Sequence, residues 1–134
     1  GLQACGFTLH MELLRQPVHC DPARIRQALL AMLDNLKRHA NPGIVTVRLS
    51  SQDGINTLSV ADEGPGIDET FAAHIFEPFQ RGESSRSRAQ GGSGLGLAVV
   101  RAIALAHEGR VTCRNLTQGG SLFELTWPEQ LVAI

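Results

Sequence analysis

The feature that most constrains this chain is a glycine-rich segment at residues 91–97 that runs directly into an apolar stretch. The segment reads Gly-Gly-Ser-Gly-Leu-Gly-Leu, and Ala98, Val99 and Val100 follow it. Glycines allow the backbone to adopt positive φ angles and to approach a ligand closely. The apolar residues predict a helix, whose first N–H groups lack intrahelical partners and favour an anion such as phosphate. The segment is therefore either a phosphate-binding loop or a glycine-rich hinge before a helix.

Three common glycine signatures do not fit this segment. No Gly-Lys-Ser/Thr sequence follows, as a P-loop requires. Leu97 occupies the place of the third glycine in a dinucleotide-binding fingerprint, and Leu95 that of the last glycine in a nucleophile elbow. If the segment binds phosphate, it does so in another way.

The composition is that of a single globular domain. The 134 residues are 43% hydrophobic and 19% charged, with a formal net charge of −1, so charge alone attracts neither nucleic acid nor a membrane. Cys5, Cys20 and Cys113 show no metal-ligand spacing and are expected to be free thiols in a reducing compartment. The longest apolar stretch is too short to span a bilayer, and no signal peptide is recognised. Because the chain begins with Gly1 rather than Met, we expect a segment of a longer protein.

Hydrophobic periodicity predicts an α+β chain. Two short strands are expected within residues 5–20, around a turn at 15–17. Asp21 and Pro22 suit an N-cap and a first helical position, and the apolar spacing predicts a helix to about Ala40. Strands are predicted at 44–50, 55–61, 110–115 and 121–127, with helices at about 68–74 and from the glycine-rich segment to 108–109. This order predicts a two-layer α/β sandwich with about three helices on one face of a sheet.

The segment at residues 80–93 differs in kind from the rest, because it contains no apolar residue larger than alanine. Such a segment cannot contribute to a core, and its length is typical of a functional mobile loop. Phe76 and Phe79 precede it in the sequence Phe-Glu-Pro-Phe, which we interpret as an aromatic plug closing the core at the base of the loop.

Two polar positions are candidates for ligand binding. Asp62 follows a predicted strand and is followed by Gly64 and Gly66, so its carboxylate could accept a hydrogen bond from a ligand amine; an ordinary tight turn is the alternative. Asn35 lies late in the first predicted helix, where its amide oxygen could bind Mg²⁺, although it could equally be a solvated helix position. Arg38 and His39, one turn later, could direct donors the same way.

Taken in order, these features resemble the nucleotide-binding domain of sensor histidine kinases. The matching motifs are the N box (Asn35), the G1 box (Asp62, Gly64, Gly66), the F box (Phe76, Pro78, Phe79) and the G2 box (residues 92–97). Each is weak alone, but four in order across about residues 17–127 are highly specific. The resemblance implies the Bergerat fold of the GHKL ATPases, with helices on a mixed, mainly antiparallel sheet and a mobile ATP lid at about 80–93. The whole of 1–134 would be one such domain.

The resemblance also implies a role for each matching residue. Asp62 would bind the adenine amino group, Asn35 would hold Mg²⁺ on the phosphates of ATP, and Arg38 would contact phosphate oxygens. Arg81 and Arg86, on the lid, would neutralise charge on the transferring phosphoryl group. Ser121 is a weaker match to a small hydroxyl residue near adenine. The other implied nucleotide contacts are His39, Gly64, Gly66, Ile67, Phe79, Gly92, Ser93, Gly94, Leu95, Gly96 and Leu97.

The activity implied by this resemblance is that of an ATP-dependent protein histidine kinase. The γ-phosphoryl group would pass to a histidine on a separate helical dimerisation domain, which this chain is expected to lack. A sequence that begins at His10 faintly resembles the phosphoacceptor box, but it lies too close to Asn35 and on a strand-like stretch. The implied partners are ATP, that helical domain and, indirectly, a response regulator, with no nucleic acid. The domain itself would be a monomer in the bacterial cytoplasm, within an inner-membrane sensor.

Departures from the family pattern leave other functions open. Ala31, Leu36 and His39 replace a common Asn, a usual Ala and a usual Tyr, so altered metal or phosphate contacts are expected. An ATP-hydrolysing GHKL domain would use a Glu at the position of Ala31 to activate water, so hydrolysis by this chain should be slow. An anti-sigma-type serine kinase and a nucleotide-binding regulatory module without catalysis are the remaining alternatives.

Overall fold

The structure is a computed structural model that describes residues 8–13, 18–39, 43–64, 66, 75–76 and 96–129, without the side chains of residues 38 and 39. Within these ranges the chain forms strands and two helices in the order β1 (Thr8–Glu12), α1 (Pro22–His39), β2 (Ile44–Gln52), β3 (Ile55–Ala61), α2 (Gly96–Ala106), β4 (Arg110–Asn115) and β5 (Ser121–Pro128).

The described strands form one five-stranded sheet in the order β1-β2-β3-β5-β4. β1 pairs with β2 in parallel, and the other neighbours are antiparallel. The antiparallel pairs β2–β3 and β4–β5 are hairpins, joined by turns that contain Asp53 and Gly54, and Gly119 and Gly120, all with positive φ angles. The mixed, mainly antiparallel sheet implied by the family resemblance is therefore confirmed.

Helix α1 begins where the sequence predicts. The Oδ1 atom of Asp21 accepts hydrogen bonds from the backbone N–H groups of Ala23 (3.2 Å) and Arg24 (3.3 Å), which is the geometry of an N-cap. Pro22 then occupies the first helical position, where no N–H donor is needed.

The core lies between the helices and one face of the sheet. Side chains of α1 and α2 meet alternate residues of β2, β3 and β5, because successive residues of a strand point to opposite faces. This is the predicted two-layer arrangement. The buried apolar side chains are Ala28, Met32, Leu36, Val45, Val47, Leu58, Val60, Ile75, Val100, Ile103, Ala104, Phe123, Leu125 and Trp127.

The prediction of a second strand around Val18 was wrong. Residues 18–20 form no strand, and β1 pairs with β2 instead. The indole Nε1 of Trp127 donates to the carbonyl of His19 (2.9 Å), so this segment is a connection held against the end of β5. The predicted helix at 68–74 and the predicted lid at 80–93 lie outside the described residues, as does Cys5. In the described part of the chain, neither helix has the length and apolar character needed to cross a bilayer.

Candidate functional site

Asp62 is a buried carboxylate at the end of β3. It continues the inward-facing series of Leu58 and Val60, and only 4% of its surface is exposed. A carboxylate this buried is costly unless hydrogen bonds satisfy it. The backbone N–H of Gly64 donates to Oδ1 (2.7 Å), and the hydroxyl of Ser121 donates to Oδ2. The carboxylate is thus held in one orientation, with acceptor capacity left for a ligand.

The backbone of Asp62 is fixed as tightly as its side chain. Its N–H donates to the carbonyl of Ser121 (3.0 Å). Gly120 adopts a φ of +95°, and a Cβ there would lie 1.9 Å from the carbonyl oxygen of Asp62. In the sequence, Gly120 is recognisable only as a turn residue between two predicted strands. The pair Gly119-Gly120 was the available signal, but it does not reveal which glycine touches Asp62.

The structure shows why position 66, the second glycine after Asp62, is occupied by glycine. Gly64 is buried, and Gly66 adopts a φ of +89°. A Cβ on Gly66 would lie 2.6 Å from Oδ1 of Asn115 and 3.5 Å from the carbonyl oxygen of Gly120. Glycine is therefore required at position 66 by its backbone angle and by the protein's own neighbouring side chain.

Contacts at one end of the helix layer show how α1, α2 and β5 are oriented relative to one another. Nε2 of His107, just after α2, accepts a hydrogen bond from the N–H of Asp21, just before α1 (3.0 Å). Trp127, near the end of β5, bonds to His19 at the same end. The packed helices α1 and α2 are therefore antiparallel. It follows that the late part of α1, the first residue of α2 and the start of β5 are directed toward the opposite end.

Several of the predicted site residues that the structure describes lie at that opposite end of the domain. Asn35 lies half-buried in the late part of α1, Gly96 begins α2, and Ser121 begins β5 beside Asp62. The first N–H groups of an α-helix favour an anion. One end of the domain therefore combines a buried acceptor, an amide side chain and a helix N-terminus.

Other predicted site residues are described in part or not at all. Arg38 and His39 end α1, and Leu97 is half-buried in the first turn of α2. Phe76 packs edge-to-face on Phe123, with ring centroids 6.1 Å apart, so the first residue of the predicted plug contacts the core. The predicted site residues that lie outside the described ranges are Ile67, Phe79, Arg81, Arg86, Gly92, Ser93, Gly94 and Leu95.

Two cavities among the described residues lie at different ends of the domain, and cavity size does not identify the site. A cavity of about 680 Å³ is lined by Asp21, His107 and Trp127, at the end of the fold away from Asp62. A smaller cavity of about 250 Å³ touches Asp62, but its lining includes Thr46 and Ala61, which point to the face of the sheet away from the helices. We place the site at Asp62 because the buried acceptor is there. Among the described residues, no three His, Cys, Asp or Glu side chains form a metal-binding cluster.

Cys113 lies beside this site and gives a pH-dependent prediction. Burial raises the pKa of its thiol to about 12 from the usual 9.0, and the charge of Asp62 acts in the same direction. The folded state therefore favours the neutral thiol. Its contribution to stability is complete below pH 9 and is lost as the pH rises toward 12, at about 1.4 kcal/mol per pH unit.

Urea unfolding at pH 8, 9 and 10 measures this effect. The sequence contains no Tyr and its one Lys is Lys37, so few other groups titrate in this range. We expect the wild-type chain to lose about 1 kcal/mol more than Cys113→Ala does between pH 8 and pH 10. Equal losses in the two proteins would show that the Cys113 thiol titrates normally in the folded state.

Comparison with known proteins gives a consistent set of matches. Residues 20–131 match the family model described as histidine kinase-, DNA gyrase B- and HSP90-like ATPase. The chain is 46% identical over 93 residues to the probable sensor histidine kinase TcrY of Mycobacterium tuberculosis, covering 69% of this chain and 20% of that protein. It is 43% identical over 108 residues to the sensor protein RstB of Escherichia coli, covering 81% of this chain and 25% of that protein. The chain thus spans a quarter or less of the length of these two relatives.

Solved structures give the same result. The mycobacterial sensor histidine kinase MprB superposes with a TM-score of 0.80 at 29% identity, covering 96% of this chain and 87% of that chain. Full-length ShkA in complex with AMPPNP superposes with a TM-score of 0.81 at 29% identity, covering 99% of this chain and 28% of that chain.

Proposed function

We propose that this chain binds Mg-ATP and donates the γ-phosphoryl group to a histidine. The chain belongs to the family of histidine kinase-, DNA gyrase B- and HSP90-like ATPases. The observation that carries this proposal is the buried carboxylate of Asp62. Gly64 and Ser121 orient it at the end of the domain where Asn35 and the start of α2 are found.

The chemistry of Asp62 supports recognition of an aminated base such as adenine. An ionised carboxylate only accepts hydrogen bonds, so it selects a base that presents an exocyclic amine as donor. Val60 and Phe123 are fully buried neighbours on the same face of the sheet, so the carboxylate stands directly at the edge of the apolar core. A carboxyl at this position would disfavour a base that presents a carbonyl oxygen there.

Phosphate binding is assigned to the helix layer. The Asn35 amide oxygen is a neutral ligand that suits Mg²⁺, which completes its octahedral shell with water and substrate phosphates. Arg38 would pair with phosphate oxygens, and N–H groups of Gly92, Gly94 and Gly96 would bind the triphosphate. When bound, Mg²⁺ would neutralise charge on the phosphates. Arg81 and Arg86 would approach the transferring group from a lid at 80–93.

Replacement of Asn35 by Ala tests the metal assignment. In the presence of Mg²⁺ we expect the affinity for ATP to fall about 10-fold, because one metal ligand is lost. In EDTA the variant and the wild type should bind ATP equally. Isothermal titration calorimetry measures both values. Gln27→Ala is the matched control, since it removes a carboxamide from the other end of α1. A 10-fold loss that persists in EDTA would show that Asn35 acts without a metal.

The phosphoryl acceptor lies on a separate helical domain in this proposal, and a response regulator acts downstream of it. The two relatives named above, a probable sensor histidine kinase and a sensor protein, are far longer than this chain, which supports a parent protein with further domains. We place the domain on the cytoplasmic side of the membrane in such a parent. Residues 1–134 would form one catalytic unit.

Labelling with γ-³²P-ATP tests the reaction. The chain is mixed with the helical domain of its parent, and we expect acid-labile label on that domain, as phosphohistidine requires. Acid-stable label would favour a serine kinase. Rapid phosphate release by the chain alone would favour an ATPase, which the absence of a carboxylate at Ala31 argues against. Failure to bind ATP at millimolar concentration would overturn the proposal.

A further inference from the structure

The helix-facing side of the sheet ends in a row of three polar side chains on neighbouring strands. Asp62 follows β3, Ser121 begins β5 and Asn115 ends β4. Ser121 pairs with Asn115 in the sheet register and bonds to Asp62. The preceding row on the same face is apolar, with Val60, Phe123 and Cys113 in register. The change from apolar to polar within one strand step marks the edge of the core.

Asn115 contacts the loop that carries the glycines after Asp62. The space that a Cβ of Gly66 would occupy is filled by its carboxamide, with Oδ1 at 2.6 Å and Cγ at 3.1 Å from that point. The carbonyl of Gly120 lies on the same side at 3.5 Å. Gly66 is therefore seated between the end of β4 and the β4–β5 turn.

The β4–β5 turn is a firm support for this contact. The N–H of Leu116 donates to the carbonyl of Gly120 (2.9 Å), and the N–H of Gly119 donates to the carbonyl of Leu116 (3.1 Å). Gly120 in turn packs directly on the backbone of Asp62. The turn therefore locates both Asp62 and Gly66, through Gly120 for the first and Asn115 for the second.

We propose that Asn115 is a positioning residue for nucleobase recognition. Its carboxamide sets the position of Gly66, and so aligns the loop that presents the Asp62 carboxylate to the exocyclic amine of the base. A neutral amide suits this place, because a carboxylate would put a second negative charge on the same edge as Asp62, with only β5 between them. This inference rests on the proposed function, since it assumes that Asp62 binds an adenine nucleotide.

Calorimetric titration of the chain with ATP and ADP tests the inference. We expect Asn115→Ala to weaken both ligands by the same factor of about 10, because the defect lies at the base and not at the phosphates. With purine riboside triphosphate, which lacks the exocyclic amine, the same variant should bind within two-fold of the wild type. Gln118→Ala removes an exposed carboxamide from the same hairpin and should bind all three ligands normally.

The outcomes separate this inference from the proposed function. If the wild type binds no ATP, both fail. If the wild type binds ATP but Asn115→Ala binds both ATP and ADP as tightly as the wild type does, only the role of Asn115 fails. This holds even if the variant unfolds at a lower temperature. If Asn115→Ala loses as much affinity for purine riboside triphosphate as for ATP, the role of Asn115 is also overturned. Such a loss would not depend on the amine and would indicate a general structural defect. Asn115→Asp provides a second variant of nearly the same shape, with an expected loss for ATP larger than that of Asn115→Ala.

Discussion

The Asp62→Asn variant is expected to bind ATP about 100-fold more weakly than the wild type while remaining folded. The substitution preserves shape, and the remaining amide oxygen can still accept the N–H of Gly64. The carboxylate is lost, however, and with it a charge-assisted hydrogen bond to the adenine amine. Such bonds contribute about 1.5–3 kcal/mol, and 100-fold in affinity corresponds to about 2.7 kcal/mol.

The Asp53→Asn variant is the control for this result. It makes the same chemical change at an exposed position in the β2–β3 turn, where a φ of 53° is tolerated by Asn as well as by Asp. We expect unchanged ATP affinity for Asp53→Asn and similar unfolding midpoints for both variants. Calorimetry and urea unfolding provide the two measurements. If Asp62→Asn binds ATP as the wild type does, the carboxylate is not the purine acceptor.

The second large effect is expected at Gly120. In Gly120→Ala the new methyl group would overlap the carbonyl oxygen of Asp62, which lies 1.9 Å from the ideal Cβ position. Both groups belong to a tightly bonded backbone, so the overlap cannot be relieved by rotating a side chain. We expect a loss of about 3 kcal/mol or more in the free energy of unfolding, and a matching loss of ATP affinity because Asp62 is displaced.

Gly119→Ala separates the overlap from the cost of the backbone angle. Gly119 has a φ of +101°, close to the +95° of Gly120, but no atom lies within 4 Å of its ideal Cβ position. Its substitution should cost only about 1–2 kcal/mol, from the unfavourable φ. Urea unfolding of the two variants measures the difference. Equal losses would mean that the contact between Gly120 and Asp62 does not support the site.

Much of the fold could be predicted because local signals and tertiary packing agree. The Asp21-Pro22 start of α1 and the alternation in β2, β3 and β5 are encoded within a few residues. The error at Val18 has a physical cause. One apolar residue near a turn does not distinguish a strand from a connection, and here the decision came from a distant contact with Trp127.

The candidate site could be proposed from the sequence at Asp62, whose role in binding stays a prediction, but the contacts that support Asp62 could not be predicted. Asp62 was recognisable as an acid at a strand end beside glycines. Gly120 and Asn115 were not, because their importance arises from distances to Asp62 and Gly66 that no local pattern contains. The order of strands in the sheet places β5 next to β3 and β4 on the far side of β5, and that order is not encoded in spacing along the chain.

The central claim is that the carboxylate of Asp62 holds the base of an adenine nucleotide. A crystal structure of this chain with Mg²⁺ and a non-hydrolysable ATP analogue tests it most directly. We expect the exocyclic nitrogen of adenine about 3 Å from an Asp62 carboxylate oxygen, with the triphosphate toward Asn35 and the start of α2. A nucleotide bound elsewhere, or a base turned away from Asp62, would contradict the claim.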